Sequence, residues 1–367
     1  MPMVAARGPR RDPDKDRLLV VDPDSGAVNE TAFARLPELL DAGDLVVVND
    51  AGTRPSSLAL RTSPARGAIA VEARLLDQGD DGSYGAVLFG TGTWRDDTDL
   101  RPAPAAVAVG DVLWSAHGSA RVISVSALSP RLVRLALDDA MSAALFLDAT
   151  PVQYSYMDDA LRLADVQTPY ASRPWAAEMP SAGRALSVSL LVSLRRRGVA
   201  IARVTAAAGL SATGDPALDA LLPLPEVYEI PSETVDAVAR AHRRGARVIA
   251  VGTSTVRALE SAVEARDDER KYERGGDVVV RAGRGVASLV IRPGFVRRVV
   301  DGILSGMHEA GTSHDSLLRA FAPAHVVDAA IEMGRRRGLL VHELGDHCLI
   351  VPPSVHEDAA RTMHIRS

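Results

Sequence analysis

A large α/β domain with a small antiparallel β-barrel inserted into it is the architecture this 367-residue sequence predicts, on three observations. The first is RVIAVGTSTVRALE, Arg247 to Glu260. Val248 to Val251 is a short β-branched apolar run, the pattern of a strand buried on both faces. Gly252 breaks it, and Thr253, Ser254 and Thr255 offer capping hydroxyls to a helix carrying Val256, Leu259 and Val263 at helical spacing. The second is that helical and strand patterns alternate from Pro151 onward. The third is a change of texture from about Ala59 to Asp148, where short alternating runs are separated by Gly, Asp and Pro clusters without a helix-length pattern. The expected division is therefore 1–58 with 149–367 as the α/β domain and 59–148 as the barrel.

In chain order, Arg17 to Asp22 reads as a strand, followed by the Asp22-Pro23-Asp24-Ser25-Gly26 turn and a helix through Phe33, Leu36 and Leu40 that Gly43 ends. Leu45 to Val48 is a buried strand stopping at Asn49-Asp50. The barrel strands are expected at Ala70–Leu76, Tyr84–Phe89, Asp111–Trp114, Ala120–Val125 and Leu132–Leu137. A helix follows over Ser187 to Arg197, then a strand from Val199 to Thr205, and Ser232 opens a helix leading into Arg247. Beyond the central stretch come a charged, Gly-rich hairpin over Asp267 to Gly285, a strand over Val286 to Ile291, and a helix starting near Val299. A last helix runs through Ala329 to Arg337 before a strand near Cys348 to Val351.

Composition excludes several classes. Hydrophobic content of 47% and charged content of 24% are those of a folded globular chain. No apolar run reaches the length of a membrane span and the N-terminal residues lack a signal-peptide core, so a cytoplasmic location and no membrane partner are expected. The single cysteine, Cys348, fits a reducing compartment and lies in an apolar run. A net charge of −5 argues against a generally basic nucleic-acid binder. Arginine clusters at 195–197, 243–244, 297–298 and 335–337 read as solvated helix ends, with RNA contact by one or two left open.

A strand, a glycine–hydroxyl turn and a helix N-terminus leave backbone N–H groups aimed at one spot, which suits an anionic or strongly polar ligand. The turn contains neither a P-loop nor a dinucleotide fingerprint, so an ordinary β-turn-α connection is the alternative. His308, His314 and Asp315 form one polar cluster, and His342, Glu343, Asp346 and His347 a second; neither has a standard zinc spacing, and no metal is expected. Tyr154, Tyr156, Tyr170 and Trp175 offer a stacking surface or core.

An ordered series of runs resembles the S-adenosylmethionine:tRNA ribosyltransferase-isomerases of queuosine biosynthesis. The series is RLLVVD (Arg17 to Asp22), GDLVVVND (Gly43 to Asp50), VQTPYA (Val166 to Ala171), PSAG (Pro180 to Gly183) and RVIAVGTSTVRALE. VVDGIL (Val299 to Leu304), His308, Ala320-Phe321 and LGDHCLI (Leu344 to Ile350) complete it. The resemblance implies the α/β layout interrupted by a barrel. It also implies S-adenosylmethionine as co-substrate and transfer of its ribosyl part to the aminomethyl group of a 7-deazaguanine base in tRNA, releasing adenine and methionine. Such chemistry needs a base, an adenine pocket and a seat for the methionyl carboxylate.

On this resemblance the expected co-substrate residues are Gly252, Thr253, Ser254, Thr255 and Arg257, with Ser181, Gly183, Gly209 and Asp346. Arg257 suits a carboxylate through bidentate pairing. His308 is the expected proton-transfer residue, with Asp301 the second catalytic candidate. Asp301 and Asp346 each adjoin a glycine, so a turn-forming role is the alternative. The chain departs from the family pattern where Ala185 and Ala207 stand in place of histidines and Gly311 in place of an arginine. Neither alanine moves a proton, and glycine holds no phosphate. Two other readings therefore stand beside the family activity: an S-adenosylmethionine-using alkyl transferase, lyase or isomerase acting on a small molecule, and a non-catalytic S-adenosylmethionine- or RNA-binding module.

Overall fold

The computed structural model describes residues 3–10, 15–264 and 279–353. Nine strands form one mixed sheet whose order, edge to edge, is Gly283–Ala287, Glu226–Ile230, Ala200–Ala206, Leu45–Asn49, Val248–Val251, Gly302–Gly306, His347–Ile350, Arg17–Val21 and Val28–Ala32. The four central strands, from Ala200 to Gly306 in that order, are mutually parallel. Parallel strands covered on both faces need apolar residues throughout, and Leu45–Asn49, Val248–Val251 and Gly302–Gly306 are buried at every position. The Ser232–Arg243, Thr253–Ser261 and Ala324–Arg337 helices help to build the core on one face. The Phe33–Glu38 turn of 3₁₀ helix and the Val188–Arg196 helix help to build it on the other.

Six antiparallel strands close the barrel in the order Ser57–Arg61, Ala70–Gln78, Tyr84–Phe89, Leu132–Leu137, Ser119–Val125 and Val112–Trp114. The Arg61↔Trp114 pairing completes the ring, and the short Ala149–Thr150 strand pairs with Ser57–Arg61 beside it. Its core is small and aliphatic, with Leu60, Leu75, Leu88, Leu113 and Leu135 buried. The expected α/β fold with an inserted barrel is what forms.

Four local expectations need correction. The stretch near Val299 is no helix start: Gly302–Gly306 is a fully buried strand, because flanking glycines and apolar residues suit the sheet interior better than a helix. The edge strand covers Gly283–Ala287 rather than Val286–Ile291, since it pairs with Glu226–Ile230. The barrel segment contains a ten-residue helix, Asp139–Asp148, capped by Asp138 accepting from the Met141 N–H. Phe33–Glu38 is 3₁₀ rather than α, with Pro37 inside it. Most of the expected Asp267–Gly285 hairpin lies outside the described residues. Among the described residues no helix is long and apolar enough to cross a membrane.

Candidate active site

The carboxyl ends of the central strands open into a cleft of 760 Å³, the place where open α/β sheets take ligands. Asn49 ends one strand and accepts from the Ala206 and Ala51 N–H groups at 2.9 and 3.0 Å, locking two strand ends together. Val251 ends the next and passes into Gly252 at φ +87° and ψ 157°, a conformation that excludes ordinary side chains. From there the Gly252 N–H donates to Leu304 O at 2.8 Å, and the Thr253–Ser261 helix begins. Its first N–H groups have no partners within the helix, and Gly252, Thr253 and Ser254 line the cleft. Gly252→Ala is expected to cost about 1–3 kcal/mol through backbone strain, read as a lower urea midpoint with an unchanged slope.

Two further carboxyls line the same cleft. Glu178 is 7% exposed and accepts from the Tyr154 hydroxyl, from the Ser211 N–H at 3.1 Å and from Ser211 Oγ at 2.6 Å. Burial first, then the neighbouring Glu343 charge, pushes the Glu178 carboxyl up to about 7. Glu343 accepts from the Tyr156 hydroxyl and is raised by burial. Tyr156 stacks on Tyr154 at 5.8 Å and on His342 at 4.6 Å, making a continuous aromatic face.

His308 packs against His314 at 4.4 Å, and its Nε2 lies 3.0 Å from Ser305 Oγ. Burial, then the imidazoles of His314 and His342, hold His308 well below the ordinary histidine range, and burial lowers His314 to about 4. His308 is thus a neutral imidazole at pH 7, able to orient a hydroxyl but a weak proton acceptor.

The remaining expected residues divide. Ser181 and Gly209 line the cleft, the latter donating its N–H to Glu226 Oε1 at 2.9 Å. Gly183 is buried behind it, where a Cβ would meet the Tyr170 hydroxyl at 1.8 Å. Thr255 turns inward and donates its hydroxyl to Val251 O at 2.6 Å. Arg257 reaches the wall, but its guanidinium donates to Glu226 at 2.6 Å and to Leu289, Leu224 and Ala287 carbonyls at 3.0, 3.0 and 2.7 Å. Asp301 accepts from the Val248 N–H at 2.9 Å, at the start of the strands rather than the cleft end. Asp346 is fully buried and accepts from Arg10, Arg17 and the Leu340 N–H. Cys348 is buried within its strand, its thiol pushed up to about 12 by burial. Trp175 stands beneath the Arg173 guanidinium, 4.4 Å away, and is not part of the cleft wall.

Glu178, Ser211 and Glu226 escape sequence reasoning, although a lone acid inside Ala176-Ala177-Glu178-Met179 is a signal of a buried carboxyl.

The family model described as queuosine biosynthesis protein matches residues 2–350. The chain belongs to that family. Among queuosine biosynthesis proteins, the S-adenosylmethionine:tRNA ribosyltransferase-isomerase of Sorangium cellulosum is 34% identical over 95% of this chain and 95% of its own. That of Anaeromyxobacter dehalogenans is 33% identical over 95% and 96%. A crystal structure of the S-adenosylmethionine tRNA ribosyltransferase from Thermotoga maritima aligns over 95% of this chain and 96% of that one, at 22% identity and a TM-score of 0.48. The named relatives are transferase-isomerases, which places this queuosine biosynthesis protein within an enzyme family.

Proposed function

We propose that the protein consumes S-adenosylmethionine and transfers its ribosyl part to an amine, releasing adenine and methionine. The observation that carries this reading is the cleft itself, which brings a helix N-terminus and buried carboxyls into one cavity. S-adenosylmethionine carries a carboxylate, which suits the N–H groups at Thr253 and Ser254. It also carries a sulfonium and an ammonium, which suit acidic walls. Thr253, Ser254, Gly252, Ser181 and Gly209 form the co-substrate surface in this reading, and the Ser305–His308 pair orients a ribose hydroxyl.

tRNA is the acceptor named for the relatives. A specific observation favours a second reading, a small-molecule acceptor: Asp99, Glu178, Asp219, Glu226, Glu309 and Glu343 line the cleft against Arg257 and Arg292. A phosphodiester backbone meets like charge there.

Incubation with S-adenosylmethionine, with and without tRNA bearing 7-aminomethyl-7-deazaguanine, tests both. Adenine and methionine release that requires the tRNA, and falls steeply with salt, supports the first reading. Release with the free base alone, insensitive to salt, supports the second. Neither release nor heat of S-adenosylmethionine binding would remove the co-substrate assignment.

A further inference from the structure

Resting on the ribosyl-transfer reading above, we infer that Glu178, with Glu343 beside it, is the seat of the acceptor's amine and the base that takes its proton. Both carboxyls face the cleft, and both are held by tyrosine hydroxyls rather than by a guanidinium hydrogen bond. Glu178 is further fixed by two neutral donors of Ser211, so its position is set before a ligand arrives. The stacked faces of Tyr154, Tyr156 and His342 continue the same wall, and aromatic faces next to carboxylates favour a cation. An anion is refused there.

The groups facing Glu178 are Glu343, Tyr154, Tyr156 and Arg74. Arg74 is engaged with Glu72 at 2.8 Å and lies over the Phe89 ring at 4.4 Å. A primary alkyl amine reaches the site as an ammonium, with a proton affinity near that of lysine, about 10.4. It is a nucleophile only after losing a proton. His308 and His314 are held too low to accept one, whereas the buried Glu178 carboxyl stands near neutrality. In the step, an ammonium N–H bond breaks toward a Glu178 oxygen. The freed nitrogen pair forms the C–N bond to the ribosyl carbon, and the pair of the bond broken at that carbon leaves with its leaving group. Glu343 supplies the like charge that keeps Glu178 basic; its role is positioning and tuning, not contact chemistry.

The test compares wild type with Glu178→Gln and Glu343→Gln. S-adenosylmethionine affinity is followed by calorimetry, and adenine release is followed from pH 5.5 to 9 with tRNA bearing 7-aminomethyl-7-deazaguanine and with the free base. Glu178→Gln keeps the Tyr154 and Ser211 contacts in shape. It is expected to lower kcat/KM for the accepted amine by about 100-fold, to abolish the ascending limb near neutral pH, and to weaken S-adenosylmethionine binding far less than it lowers kcat/KM. Glu343→Gln is expected to move that limb to lower pH, because removing a like charge makes the Glu178 carboxyl more acidic.

Retention of the limb and of kcat/KM in Glu178→Gln overturns the inference. So does an equal loss of S-adenosylmethionine affinity, an unmoved limb in Glu343→Gln, or a wild type that binds S-adenosylmethionine yet releases adenine with neither amine. A wild type that gives no heat with S-adenosylmethionine brings down the ribosyl-transfer reading first and this inference with it. Calorimetry separates that case from the others.

Discussion

Arg257→Met is expected to lower the unfolding free energy by about 3–5 kcal/mol, the cost of removing one partner from a buried ion pair. Arg257 is 1% exposed, and Glu226, its partner at 2.6 Å, is 7% exposed. Burial already pushes the Glu226 carboxyl upward, and the Arg257 charge pulls against that. Without the guanidinium, Glu226 keeps the Gly209 N–H but loses its cation. The Leu224, Ala287 and Leu289 carbonyls lose donors as well. Adding Glu226→Gln removes the stranded charge and is expected to recover part of the loss, a coupling that a double-mutant cycle in urea measures. The sequence suggests that Arg257 grips a ligand carboxylate. Its geometry makes it instead the bolt between the Thr253–Ser261 helix and the Glu226–Ile230 strand behind the cleft. A variant as stable as wild type but weak in S-adenosylmethionine binding would return Arg257 to the ligand.

What sequence reasoning reaches here follows from the range of the forces involved. Val248–Val251, Gly252 and the helix after it are local: buried β-branched residues, a positive-φ glycine and hydroxyl caps specify themselves within a few positions. Leu45–Asn49 is visible for the same reason. The barrel is visible because tight turns recur at short intervals, although which strand closes on which is a matter of the distant Arg61↔Trp114 pairing. Gly302–Gly306 is misread because its short glycine-bounded run has no helical or alternating period, and only its neighbours at Val248 and His347 make it a strand. The functional wall is the least legible part. Glu178 and Tyr154 are 24 positions apart, Tyr156 and Glu343 are 187 apart, and only the fold brings each pair into a hydrogen bond. Asp301 and Asp346 look alike in sequence, each beside a glycine. One is a strand-start acceptor and the other the centre of an arginine cluster.

Acidification is expected to destabilise the protein through histidines buried in their neutral form, and His347→Leu isolates one such case. His347 is 1% exposed, lies 4.5 Å from the Phe33 ring, and is lowered to about 3, by burial first and then by the Arg184 charge. His314 is lowered to about 4, and His308 lies well below the usual range. In the unfolded chain each takes a proton near pH 6.5. Below that pH the unfolded state binds protons that the folded state refuses, so stability falls as pH falls from 6.5 through about 4 and about 3. Glu178 acts with the opposite sign. Its folded carboxyl is raised to about 7, so its cost is absent below its unfolded value and appears as pH rises toward 7. The two effects oppose each other between about pH 4.5 and 6.5; below that window the histidines act without this counterweight and the decline steepens. Urea unfolding at pH 7.5, 5.5 and 4.5 reads the difference between wild type and His347→Leu. Any packing change from the leucine is a constant offset, whereas the protonation cost grows by about 1.4 kcal/mol for each pH unit below 6.5. The variant is therefore expected to gain steadily on wild type as the pH falls. Parallel curves would mean that His347 finds a proton-accepting partner in the folded state and carries no such cost.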